Sequence, residues 1–267
     1  MIHLLKIDLK KLTSYRTFWV ICGLYFLTLG FTTASGMEFL KWLVSKGAEF
    51  GTSININRIP LYHFPDVWQN LTYISGFFKI VLAFMVVISV TNEFTYRTVR
   101  QNIIDGMSRT EFLFSKILTN ILLSLMSVAM VFLIALVAGL IYSPVVELAD
   151  IVDYLQFFLA YFIEVFAFLS YALMLGLLIQ RSGLTIVILF LSHMIEAIVK
   201  ANIDDQLPGL IQFFPMESIS NLIKMPFARY VFQEIQDYVS MTAVAIALVW
   251  TFLFNYFGYL KLKKADL

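Results

Sequence analysis

Long apolar runs dominate this chain, and polar positions break them at intervals suited to helices that cross a lipid bilayer. Such a helix needs roughly 20 predominantly apolar residues. Six stretches meet or approach that length, at about 17–34, 71–91, 112–142, 154–179, 184–199 and 239–260. The third is long enough to tilt or protrude, and the fifth is short. Runs such as ILLSLMSVAMVFLIALVAGLI lack the every-second-residue alternation of a closed β-barrel, the other structure that can span a membrane. The pattern predicts an all-α membrane protein with six transmembrane helices.

The segments between the runs carry their own patterns. In residues 1–15, Ile2, Leu5, Leu9 and Leu12 recur at helical spacing on one side, and His3, Lys6 and Lys10 line another. This predicts an amphipathic helix lying in the membrane interface, with an unplaced cytoplasmic tail as the alternative. The segment at about 35–70 is polar and broken by Gly47, Gly51, Pro60 and Pro65, with Tyr62, Phe64 and Trp68 placed to anchor at a membrane surface. Residues 200–238 alternate apolar patches with Pro208, Gly209, Pro215 and Pro226. LPGLIQFFP is too short to cross and too apolar for water, so a re-entrant or interfacial helical hairpin is expected before the sixth span. Between spans two and three, residues 92–112 predict a short helix over Glu93–Ile104, with Phe94, Val99, Ile103 and Met107 as contact residues. Asp105-Gly106 is a turn signal, and Ser108-Arg-Thr-Glu111 is a capping box that starts the next helix. With no internal repeat or long linker, residues 1–267 read as one membrane domain.

Composition strengthens the membrane reading. The chain is 60% hydrophobic and 14% charged, with a mean hydropathy of +0.82. A soluble domain is about 45–50% apolar and about 25% charged, so the excess must face lipid. The net charge of +1 exerts no general pull toward nucleic acid. The single cysteine, Cys22, has no partner for an internal disulfide and reads as a small apolar residue within a span. Placing the N-terminus inside puts twelve basic and five acidic residues in the inner segments. The outer segments then hold six basic residues (Lys41, Lys46, Arg58, Lys200, Lys224 and Arg229) and eleven acidic ones. The positive-inside rule therefore expects both termini in the cytoplasm. TTASG after the first apolar run resembles a signal-cleavage site, but the leading segment is long and amphipathic rather than a short basic stub.

Charges within the spans need partners or a cavity. Lys79 lies about 12 Å below the outer end of the second span and Glu164 about 15 Å below that of the fourth, at 1.5 Å per residue. Their matching depth and opposite sign suggest a pair. Snorkelling of Lys79, or a protonated or hydrogen-bonded Glu164, would satisfy each alone. His193, Glu196 and Lys200 fall on one face of the fifth span. That face is expected on a translocation path or subunit interface, unless Glu196 and Lys200 merely sit at the outer boundary.

The connection NEFTYRTVRQNIIDGMSRTEFLFSKIL resembles the membrane subunits of ATP-binding-cassette transporters of the type-2 permease family. Those carry an acidic residue after the second span, a Thr five residues on, then Ser-Arg and a Lys leading into the third. Here these are Glu93, Thr98, Ser108, Arg109 and Lys116. The family usually has Gly before the Thr and Pro before the Ser-Arg, where this chain has Arg97 and Met107. The resemblance implies that residues 92–112 form a coupling helix seated in a separate ATPase subunit, with Glu93, Arg97, Thr98, Arg100, Ser108 and Arg109 as coupling residues. It implies a second permease subunit, identical or a sister chain, in the plasma membrane, and an export function. No GxxxxGK[ST] loop occurs, so ATP and Mg are expected on the partner, with no cofactor, metal or catalytic residue in this chain. A secondary carrier or channel would use Lys79, Glu164, His193 and Glu196 for ion coupling and would need no cytoplasmic knob. An intramembrane enzyme would draw on His193, Glu196 and Glu164, without any HExxH pair.

Overall fold

The computed structural model describes residues 2–45, 61–203, 207–226 and 238–265, all helices and connections. Lys46, Gly47, Gly51, Arg58, Pro60 and Arg229 lie outside the described residues, as do the side chains of Ile2, His3, Leu5 and Lys41. Along the chain run α1 (Ile2–Ser14), α2 (Arg16–Ser45), α3 (Val67–Gly76), α4 (Lys79–Thr95), α5 (Thr98–Ile104) and α6 (Arg109–Tyr142). Then come α7 (Leu148–Val152), α8 (Gln156–Ile179), α9 (Ser182–Ile203), α10 (Pro208–Ile211), α11 (Pro215–Ser220) and α12 (Met241–Lys264). Five helical stretches are long and apolar enough to cross a membrane, and the pair α3–α4 makes a sixth if taken as one span. The architecture is that of a multi-pass membrane protein.

Helix α8 is the hub. Its sequence is apolar on every side, which suits a helix enclosed by others, and 72% of its apolar window is buried against 11% for α9. It packs most extensively on α12 and α4, then on α6 and α3. Small residues set these contacts, as in membrane bundles generally. A Cβ on Gly258 of α12 would stand 3.0 Å from Leu177 of α8. Hydroxyls bind the layers where the apolar effect cannot: Tyr25 of α2 lies 2.5 Å from Ser127 of α6, which lies 2.8 Å from Tyr161 of α8.

Four elements differ from the sequence pattern. The second span is not one helix over 71–91: α3 and α4 are bent by 42° at Phe77-Phe78. The helix of the first span, α2, runs on through Gly36 to Ser45. The fifth is 22 residues rather than short, because His193, Glu196 and Lys200 stay helical. Residues 207–226 form two one-turn helices, each opened by a proline at its first position, packed on α9, α8 and α12. At the other end of the bundle, α1 packs along α6, and its Asp8 and Leu12 are buried. The face opposite Lys6 and Lys10 thus meets protein.

Trp68 anchors the α3 end of the bundle. It is fully buried, stacks on Phe132 at 5.7 Å, meets Phe158 edge-on at 5.3 Å, and donates to the Ile151 carbonyl. Trp68→Ala should cost about 3–5 kcal/mol, read as a lowered midpoint of thermal unfolding in detergent.

Candidate functional site

Two polar sites sit at opposite ends of α4. At one end the chain leaves α4, turns through Tyr96-Arg97 and forms α5. Arg97 has φ 56°, in the left-handed region that glycine favours. Asp105-Gly106 then turns the chain, with Gly106 at φ 99°, and the capping box opens α6. The Glu111 amide donates to Ser108 Oγ at 3.2 Å, and the Ser108 amide donates to Glu111 Oε2 at 2.8 Å.

A buried ion cluster pins α5. Lys116 of α6 donates to both Asp8 of α1 and Glu93 of α4, and all three residues are buried. Thr119 donates to the second oxygen of Asp8 at 2.6 Å. The other oxygen of Glu93 lies 3.7 Å from Lys11 Nζ and receives Thr98 at 3.4 Å and Asn102 at 3.3 Å. Lys11 also donates to Asn102. Each carboxylate is thus shared between a cation and neutral donors, which a buried charge requires.

This geometry redistributes the coupling residues expected from sequence. Glu93 points inward, where its carboxylate accepts Thr98 and Asn102 of α5 and Lys116 of α6, so Thr98 serves the same cluster. Ser108 caps α6, and Arg109 donates to the Leu262 and Lys263 carbonyls of α12 at 3.0 and 2.6 Å. Of the expected contact residues, Val99 is buried and Phe94, Ile103 and Met107 pack, partly buried, against the core. The exposed side of α5 is made by Arg97, Arg100 and Gln101, flanked by Tyr96 and Ile104. Asp8, Lys11 and Asn102 went unread in the sequence. Asp8 carried a signal: it is the one acid of the N-terminal helix and falls between Leu5 and Leu12 on their face.

At the other end of α4, Lys79 Nζ lies 2.5 Å from Glu164 Oε1, both side chains being almost wholly buried. Lys79 also lies 5.5 Å from the centre of the Phe168 ring. The break at Phe77-Phe78 makes Lys79 the first residue of α4 and brings the end of α3 against Glu164. A Cβ on Gly76 would stand 2.7 Å from Glu164 Oε1, so this approach needs glycine.

The pair lines a cavity of about 860 Å³, with Gln69, Tyr73, Phe77, His193, Asn221 and Lys224 among its walls. His193 meets Phe168 edge-on at 5.7 Å. Glu196 and Lys200 are used elsewhere. Glu196 accepts the Met216 and Glu217 amides at 3.0 and 2.6 Å, at the start of α11, and Lys200 pairs with Glu217 at 2.8 Å. The polar stripe of α9 therefore divides, with His193 on the cavity and the other two fastening the α10–α11 segment. Among the described residues no group of three or more His, Cys, Asp or Glu converges as a metal site, and the Glu196 carboxylate is taken by the amides that open α11.

Lys79→Met and Glu164→Gln should each destabilise the protein by about 3–5 kcal/mol, since each leaves a buried charge unpaired. The double variant should lose less than the sum in a thermal double-mutant cycle, whereas strict additivity would show that the two do not interact. Lys116→Met should cost a similar amount, and adding Asp8→Asn and Glu93→Gln should restore part of it in the same assay.

No curated protein matches the chain. A family model described as "Protein of unknown function (DUF2705)" matches residues 20–267, nearly the whole chain, and the protein belongs to that family.

Proposed function

We propose that this chain is the permease subunit of an ATP-binding-cassette transporter, with α5 as the helix that couples it to a separate ATPase. The observation that carries this reading is the construction of α5. A minimal connection between two spans needs only a few residues. Here a separate helix is fastened from beneath by the Lys116 cluster while Tyr96, Arg97, Arg100 and Ile104 remain exposed. Position 97, where the resembling family usually has Gly, adopts the backbone conformation glycine favours. In this reading α5 and both termini face the cytoplasm, and ATP and Mg reside on the partner. A second permease subunit completes the translocation path, and the chain itself catalyses no reaction. The cavity at Lys79 then belongs to that path, and export is the expected direction.

A secondary carrier is the second reading, favoured by one observation: a buried Lys–Glu pair and a histidine share a cavity within the bundle. The two differ in energy source. The test asks first whether an ATP-binding-cassette ATPase is encoded beside its gene, and expresses the chain with that ATPase. Copurification is expected, and the combined change Tyr96→Ala and Arg100→Glu should weaken it roughly 30-fold, as for central aromatic and arginine contacts of about 2 kcal/mol. Wild-type assembly by that variant, or failure of the unaltered chain to copurify, would overturn the transporter-subunit reading.

A further inference from the structure

A second groove, of about 530 Å³, lies at the C-terminal ends of α8 and α12, lined by Met174, Leu178, Phe257, Leu260, Lys261 and Lys264. The two helices run parallel here: Tyr171 meets Phe254 at 5.1 Å, and Leu177 lies against Gly258. Along both, the lining runs in one direction. Met174 and Phe257 lie deepest, Leu178 and Leu260 follow, and the two lysines come last. Leu178 and Phe257 are 41% and 45% exposed.

Lysines in a last helical turn often serve the free carbonyls of that turn. On α12 this task falls to Arg109, which takes the Leu262 and Lys263 carbonyls. Lys261 and Lys264 form no hydrogen bond or ion pair among the described residues, and no acidic residue lines the groove. The nearest acid in sequence, Asp266, lies outside the described residues. Among the described residues, two unpaired ammonium groups thus lie at one end of an otherwise mostly apolar groove.

We propose that this groove holds one anionic glycerophospholipid of the surrounding bilayer, its phosphate between Lys261 and Lys264 and an acyl chain along Met174, Leu178 and Phe257. An anionic glycerophospholipid fits because it presents negative charge and hydrocarbon in this order and is the bilayer's own solvent for the groove. The lysine stems lie on apolar surface while their ammonium groups reach the headgroup layer. Neutral lipid offers no net charge to the pair. The Arg109 bonds place the lysines at the same membrane face as the start of α6 and α5. The proposal requires only that the chain spans a bilayer, and not that it works with an ATPase.

The test uses the full chain alone, purified in detergent and titrated with phosphatidylglycerol or phosphatidylcholine of equal chain length, read by native mass spectrometry. One phosphatidylglycerol per chain should be retained in preference to phosphatidylcholine. Lys261→Gln and Lys264→Gln together should weaken retention roughly 25-fold, about fivefold for each lysine near an anionic headgroup. Lys263→Gln removes the same charge from a neighbouring side chain outside the groove and should leave retention unchanged. Leu178→Trp, which fills the apolar part without altering charge, should also abolish it. Thermal unfolding checks that each variant is folded, and the lysine variants decide the matter if Leu178→Trp is not. Equal retention of the two lipids, wild-type retention by the double lysine variant, or an equal loss from Lys263→Gln would overturn the proposal.

Discussion

The ammonium of Lys116 is shared by Asp8 and Glu93, and through it one end of the molecule is assembled. Neither carboxylate can be buried alone, and one cation between two anions leaves residual negative charge. Thr119, Thr98, Asn102 and the more distant Lys11 spread that charge over further donors. Because these groups come from α1, α4, α5 and α6, the requirement to neutralise buried charge fixes the relative placement of four helices. Apolar packing alone is weakly directional in lipid, where hydrocarbon is as good a neighbour as another side chain.

The same requirement acts at the opposite end of α4. Lys79 and Glu164 satisfy one another, and Gly76 lets the carboxylate lie against the end of α3. About 24 Å of helix separates Lys79 from Thr95, at 1.5 Å per residue. Helix α4 thus carries a buried cation in its first turn and a buried anion near its last, paired to α8 and α6 respectively. An axial shift of α4 by one turn would separate both pairs together, so its position is set with little freedom. The fold holds α5 and the cavity in fixed register through one helix.

Several features were legible in the sequence because local chemistry decides them. Apolar run length set the spans, and Ser108 and Glu111 alone specify where α6 begins. Opposite sign at similar depth pointed to Lys79 and Glu164. Other features depend on distant residues. Glu93 was expected at a partner because it falls where the resembling family carries an acidic residue after the second span. Its inward turn follows from Lys116 of α6 and from Lys11 of α1, both on other helices. Glu196 looked like part of a cavity face because it shares a helical side with His193. Its carboxylate is instead taken by the amides opening α11, whose approach no periodicity records.

The sequence by itself determined that this is a multi-span helical membrane protein, because the free energy of placing a residue in hydrocarbon is a property of that residue and its neighbours along the helix. It also determined the capped start of α6, whose hydrogen bonds close within a few residues, whereas the short helix expected over Glu93–Ile104 begins only at Thr98, after α4 has run through Thr95. Only the tertiary structure decided which charges are spent holding helices together and which remain free. Burial, the break at Phe77-Phe78 and the shared ammonium of Lys116 are relations between segments far apart in the chain. A charged side chain reads the same in sequence whether its partner is another helix, a lipid or a second protein.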